Sequence, residues 1–123
     1  MSDPILGWTI DRDDRQALLA RFAPAYPETV ADHVTFGRNS KAAAMPEVDR
    51  AIVVGRADDG EGVEALVVEL NGGTDRWDGS TYHITWSLGP GREARESNDV
   101  IAGRGWERVD GRSEVRLNAA EWP

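Results

Sequence analysis

The chain has no cysteine, a single lysine, two histidines and two methionines among its 123 residues. Without cysteine, disulfides, thiolate nucleophiles, cysteine-ligated zinc and iron–sulfur clusters are excluded. Positive charge is also short. Fourteen Lys+Arg stand against twenty-two Asp+Glu, giving a net charge of −8 and a pI near 4.7. A protein that tracks long stretches of nucleic-acid backbone needs a basic face, and this composition disfavours one. No apolar run approaches the roughly 18 residues of a membrane-spanning helix, and the N-terminus lacks the basic-then-apolar pattern of a secretory signal. A cytoplasmic chain without membrane attachment is expected. There is no repeat of fixed period and no low-complexity tract.

What remains is an ordinary globular composition, 40% hydrophobic and 29% charged, in a length that suits one domain spanning residues 1–123. Pro4–Ile10 reads as a strand, and Asp11 caps a helix over Arg12–Ala23. Asp13 and Asp14 stand in its first turn, Leu18, Leu19 and Phe22 form an apolar stripe, and Pro24 stops it. A short strand follows at Asp32–Arg38. The β-branched runs Arg50–Arg56 and Val63–Leu70 flank the turn-rich Asp58–Gly62 and predict a hairpin. Further strands are expected at Thr81–Leu88, Trp106–Val109 and Glu114–Leu117, the last two around an Asp110-Gly111 turn, with a short helix near Glu93–Ile101. The reading is a compact, strand-rich α+β domain with one main helix.

Both histidines sit in the same local device. In His33-Val34-Thr35-Phe36, alternation along a strand turns Val34 and Phe36 to one face and His33 and Thr35 to the other. In Tyr82-His83-Ile84-Thr85-Trp86-Ser87, it turns Tyr82, Ile84 and Trp86 one way and His83, Thr85 and Ser87 the other. Each copy anchors an apolar face in a core and presents an imidazole beside a hydroxyl. Two facing imidazoles can act as general base and general acid. Two threonine hydroxyls can donate to non-bridging phosphate oxygens. Together they suit hydrolysis of a phosphodiester. A metal site is not expected: no His-x-x-x-His spacing exists, and the nearest carboxylate, Asp32, should point to the opposite face.

Paired His-x-Thr strands resemble the two-histidine (2H) phosphoesterases. Tyr82-His83-Ile84-Thr85-Trp86, then Gly89, Gly91 and Ala94-Arg95-Glu96-Ser97-Asn98, is similar to the cyclic phosphodiesterase domain of plant and fungal tRNA ligases. The helix at Arg15–Phe22, Tyr26-Pro27 and His33-Val34-Thr35 extend the likeness over most of Gly7–Ile101. Trp86 departs from it, standing where an aliphatic residue is expected.

The resemblance implies antiparallel sheets flanking a central cleft, with His33 and His83 catalytic and Thr35 and Thr85 binding phosphate. It also implies hydrolysis of a 2′,3′-cyclic phosphate at an RNA 3′ end, or of a 2′,3′-cyclic nucleotide, to a 2′-phosphate. His83 would be the base and His33 the acid, with no cofactor. The chain would act as a monomer, leaving any RNA kinase or ligase to work in trans. Opening of cyclic di- or oligonucleotides and non-catalytic binding of nucleotides or RNA ends remain alternatives, and the acidic balance favours short substrates over long RNA.

Other candidates follow from charge and shape. Arg38 and Lys41 follow the first motif and Arg92 and Arg95 the second, where a phosphate needs local positive charge. Ser97 and Asn98 are candidate substrate contacts by resemblance, although Asn98 could equally cap the short helix. Of five tryptophans most should fill the core; Tyr26, Trp77 and Trp106 are candidates for stacking a base.

Overall fold

The computed structural model describes residues 3–41 and 44–123. Its elements run β1 (Ile5–Ile10), α1 (Arg12–Arg21), β2 (Glu28–Thr29), β3 (His33–Arg38), β4 (Arg50–Asp58), β5 (Val63–Glu69), β6 (His83–Leu88), α2 (Glu96–Arg104) and β7 (Glu107–Trp122). The strands form a seven-stranded antiparallel sheet in the order β2-β6-β5-β4-β7-β1-β3, completing an α+β fold with two helices among the described residues. Neither helix is long and apolar enough to cross a membrane.

The tail corrects the expectation of two short strands. Glu107–Trp122 is one continuous strand of sixteen residues, pairing with β4 through its first part and with β1 through Leu117–Trp122. Asp110-Gly111 makes no hairpin. Gly111 takes a φ of 76° while the pairing to β4 skips from Arg108 to Ser113, so the extra residues bulge out within the strand. By spanning both sets of partners, β7 holds the two ends of the sheet in one piece. The second helix also begins later than expected, at Glu96, and is nearly as long as the first.

The sheet curls so far that β3 and β6 approach each other although they lie near opposite ends of the strand order. One stretch of chain makes that closure. The Val30 and Ala31 amides bond to the Trp86 and Thr85 carbonyls of β6, and one residue later the Asp32 carbonyl accepts from Ile10 of β1. The chain crosses between partners at Ala31, whose φ of 43° is unusual for a residue with a β-carbon. The larger apolar cluster gathers Trp8, Val34, Phe36, Leu66, Tyr82, Ile84 and Trp86 with Leu18 of α1. The apolar half of each His-x-Thr strand thus lies in the core, as alternation predicts. A smaller cluster on the other side of β5, around Ala57, Ala65, Val67 and Ile101, seats α2 on the sheet face that carries Thr85 and His83.

Candidate active site

His33, Thr35, His83 and Thr85 line one cavity of about 520 Å³. The two motifs are fifty residues apart in sequence, and the approach of β3 to β6 brings their polar faces together.

The imidazoles have different surroundings. His83 is 7% exposed, and its Nδ1 lies 2.8 Å from the Thr81 carbonyl oxygen, which can only accept. Nδ1 therefore carries the proton in the neutral ring, and the Nε2 lone pair is free. Burial pushes the His83 pKa below the ordinary histidine value; the Thr81 carbonyl opposes the shift, and the positive Arg76 and His33 add to it. His33 is more open, and its Nδ1 stands 3.3 Å from Asp32 Oδ2. The other Asp32 oxygen accepts from Arg12 at 2.9 Å. The hydrogen bond from Arg12 is the main cause that holds the Asp32 carboxyl below its usual range, with a contribution from His33 and against the effect of burial.

The position of Asp32 overturns the expectation that it points away from His33. Alternation requires an extended chain on both sides, and the left-handed Ala31 breaks it one residue earlier. Helix α1 fixes this segment. The Asp11 side chain accepts from the Asp14 amide and caps the helix, as expected. Arg12 and Arg15, three residues apart, share a helix face. Arg12 reaches Asp32, while Arg15 donates to the carbonyls of Ala31 and Val30 at 2.7 and 3.4 Å.

The threonines differ as well. Thr35 Oγ1 makes no hydrogen bond to the described residues, so its proton is available to a ligand. Thr85 Oγ1 lies 3.2 Å from the Ala94 carbonyl and 2.9 Å from Ser97 Oγ. The Ala94 carbonyl can only accept, whereas either hydroxyl can donate in the contact with Ser97, so the Thr85 proton is engaged within the protein and would have to rotate toward a ligand. Ser97 is fully buried and does not line the cavity, which corrects its expected role as a substrate contact. It stands behind Thr85 and orients that hydroxyl.

Arg38, Lys41, Arg95 and Asn98 line the cavity; Arg92 does not, being held by Asp59, Glu96 and the Glu61 carbonyl. Two further residues went unmarked in the sequence. Arg76, with a side chain 8% exposed, donates to the Thr35 carbonyl at 3.2 Å, Asn98 Oδ1 at 3.1 Å and Ser80 Oγ at 2.7 Å. It braces β3 against α2 and places a permanent cation on the cavity wall. Trp122 packs its ring 4.6 Å from the His33 ring. Of the three aromatic candidates only Trp77 lines the cavity, held by a 2.6 Å bond from Nε1 to the Phe36 carbonyl. Tyr26 bonds to Asp58, and Trp106 packs on the smaller cluster.

The cavity lining carries four cations, Arg38, Lys41, Arg76 and Arg95, against one carboxylate, Asp78. In a chain with a net charge of −8 this is a local reversal of sign. The site suits an anion flanked by a neutral buried imidazole and by a second imidazole backed by a carboxylate. Among the described residues, no three His, Asp or Glu side chains group closely enough to hold a metal ion. No family model, curated protein or solved structure matches this chain.

Proposed function

We propose that the protein is a metal-independent cyclic phosphodiesterase of the two-histidine kind, opening a 2′,3′-cyclic phosphate to a 2′-phosphate. The observation that carries the reading is the meeting of both His-x-Thr motifs in one cation-lined cavity. Support also comes from the resemblance of both motif segments to the cyclic phosphodiesterase domain of tRNA ligases.

In this mechanism neutral His83 takes a proton from water through Nε2 while the water oxygen attacks phosphorus. The bond from phosphorus to the ribose 3′-oxygen breaks, and His33 delivers a proton to that oxygen. Asp32 accepts from Nδ1 of His33 and orients the ring, in the way a carboxylate orients the histidine of a hydrolytic triad. The Thr35 hydroxyl and the surrounding cations meet the charge that builds on the non-bridging oxygens.

The test follows hydrolysis of 2′,3′-cyclic AMP and of a short RNA ending in a cyclic phosphate by phosphorus NMR, with EDTA present. Turnover to a 2′-phosphate is expected. Replacing either histidine with alanine should cost about 10²–10⁴ in rate. Absence of turnover on both substrates would overturn the reading, and a 3′-phosphate product would overturn its regiochemistry.

A further inference from the structure

We infer that the cavity takes a free cyclic mononucleotide or a very short oligonucleotide, and that a longer RNA strand behind the cyclic phosphate weakens recognition. The inference rests on the phosphodiesterase reading and narrows its substrate.

The charge is partitioned sharply. The cavity lining holds four cations and one carboxylate, a local +3 with the histidines neutral. The whole chain carries −8, so everything outside the lining carries −11. A cyclic phosphate is thus drawn into a small positive well surrounded by negative charge.

The positive well also stops at its rim. Arg95 pairs with Glu93 at 2.5 Å, and Arg76 lies 3.4 Å from Asp78. Arg38 binds the Asp3 carbonyl, and the Asp3 carboxyl, hydrogen-bonded chiefly by Ser40, also feels Arg38 and Lys41. Asp32 stands at the His33 end, itself paired with Arg12. Of the ten basic residues outside the lining, Arg12, Arg50, Arg56, Arg92 and Arg116 are all in ion pairs with carboxylates. Arg15 and Arg21 are taken up by backbone carbonyls and Ser113, so most of the positive charge outside the cavity is already engaged within the protein and not free to carry further backbone phosphates. Proteins that hold single strands combine stacking surfaces with a basic track along the backbone.

At about 10 mM salt the screening length is roughly 30 Å, comparable to a domain of this size, so a trailing strand meets the whole negative field. The cavity volume of about 520 Å³ is of the size that encloses a single small-molecule ligand.

The experiment compares kcat/KM for 2′,3′-cyclic AMP with that for an RNA of roughly ten nucleotides ending in the same cyclic phosphate, across salt concentrations. The longer substrate is expected to be roughly tenfold poorer at low salt, with kcat/KM rising as salt is added. A longer substrate that is equal or better at low salt, and loses efficiency with added salt, would overturn the inference. In parallel, binding of adenosine 2′-monophosphate and of the same RNA ending in a 2′-phosphate is measured by tryptophan fluorescence. Should neither cyclic substrate turn over, the phosphodiesterase reading fails while binding still decides ligand size. Tighter binding of the mononucleotide at low salt upholds the inference, and tighter binding of the RNA overturns it.

Discussion

His83 should make the fold sensitive to mild acid, over a range the carboxylates do not control. Its ring is 7% exposed, and burial lowers its pKa below the ordinary value near 6.5. The unfolded chain therefore accepts a proton near pH 6.5 that the folded chain refuses, so acidification favours unfolding. Linkage sets the loss between pH 6.5 and 5.5 at no more than about 1 kcal/mol, the value reached when the folded ring stays wholly neutral, with a slope of at most about 1.4 kcal/mol per pH unit. The stability is lost as pH falls from the unfolded value toward the folded one. Carboxylates held below their ordinary range, such as Asp14, Asp32 and Asp59, contribute their losses at lower pH. Urea unfolding followed by tryptophan fluorescence reads the difference. With a slope of roughly 2 kcal/mol per molar urea, the midpoint should fall by up to about 0.5 M across that pH unit. In His83→Gln, which can still donate to the Thr81 carbonyl, the midpoint should hardly move. An equal fall in wild type and variant, or an NMR titration placing the His83 midpoint at or above 6.5 in the folded protein, would refute the reasoning.

Asp32→Asn keeps the shape beside His33 and removes the charge. A kcat lower by roughly 10- to 100-fold is expected, with KM little changed, the basic limb of the kcat–pH profile moved to lower pH, and partial recovery in Asp32→Glu. A merely structural Asp32 would lower stability without moving the pH profile. Gly7→Ala should be destabilising by about 1–3 kcal/mol or more in the same urea assay. The new β-carbon would overlap the Val34 carbonyl oxygen and approach Trp122 Cη2 to 2.9 Å, pushing β1 off the strand that carries His33.

The legible part of this protein was whatever local rules decide. Alternation placed Val34, Phe36, Ile84 and Trp86 in the core and the histidines with their threonines on the opposite face, because a strand's faces follow from a period of two. The cap at Asp11 was equally readable, since an acceptor three residues before a free amide is a local fact. Reading failed where a local signal had a second solution. Asp110-Gly111 makes a good hairpin turn and an equally good bulge, and only the length of paired chain on both sides selects the bulge. Asp32 obeyed no alternation because Ala31, an unremarkable residue in sequence, adopts a left-handed conformation where the chain changes partners. Ser97 looked like a ligand contact, yet helix packing put it behind Thr85. Arg76 and Trp122 carried no signal at all, because their partners Thr35, Asn98 and His33 are remote in sequence.

The two motifs are nearly identical as strings, and the fold makes them unequal. β6 is an inner strand with β2 and β5 on either side, so His83 is largely buried, reaching only the cavity, and its Nδ1 finds only a carbonyl. β3 is an edge strand, so His33 stays open and its Nδ1 finds a carboxylate held by Arg12. A carbonyl fixes the tautomer of a neutral ring without adding charge. A carboxylate becomes an ion pair once its ring is protonated. Acid–base catalysis with two copies of one side chain needs such a difference, since one ring must begin without the proton that the other must begin with. In this chain the difference comes from strand order: placing one copy inside the sheet and the other at its edge makes His83 the base and His33 the acid in the proposed reaction. Exchanging their surroundings, by adding a carboxylate beside His83 and neutralising Asp32, should therefore slow hydrolysis of 2′,3′-cyclic AMP by up to the roughly 10²–10⁴ expected for replacing either histidine with alanine, and an unchanged kcat would refute the assignment.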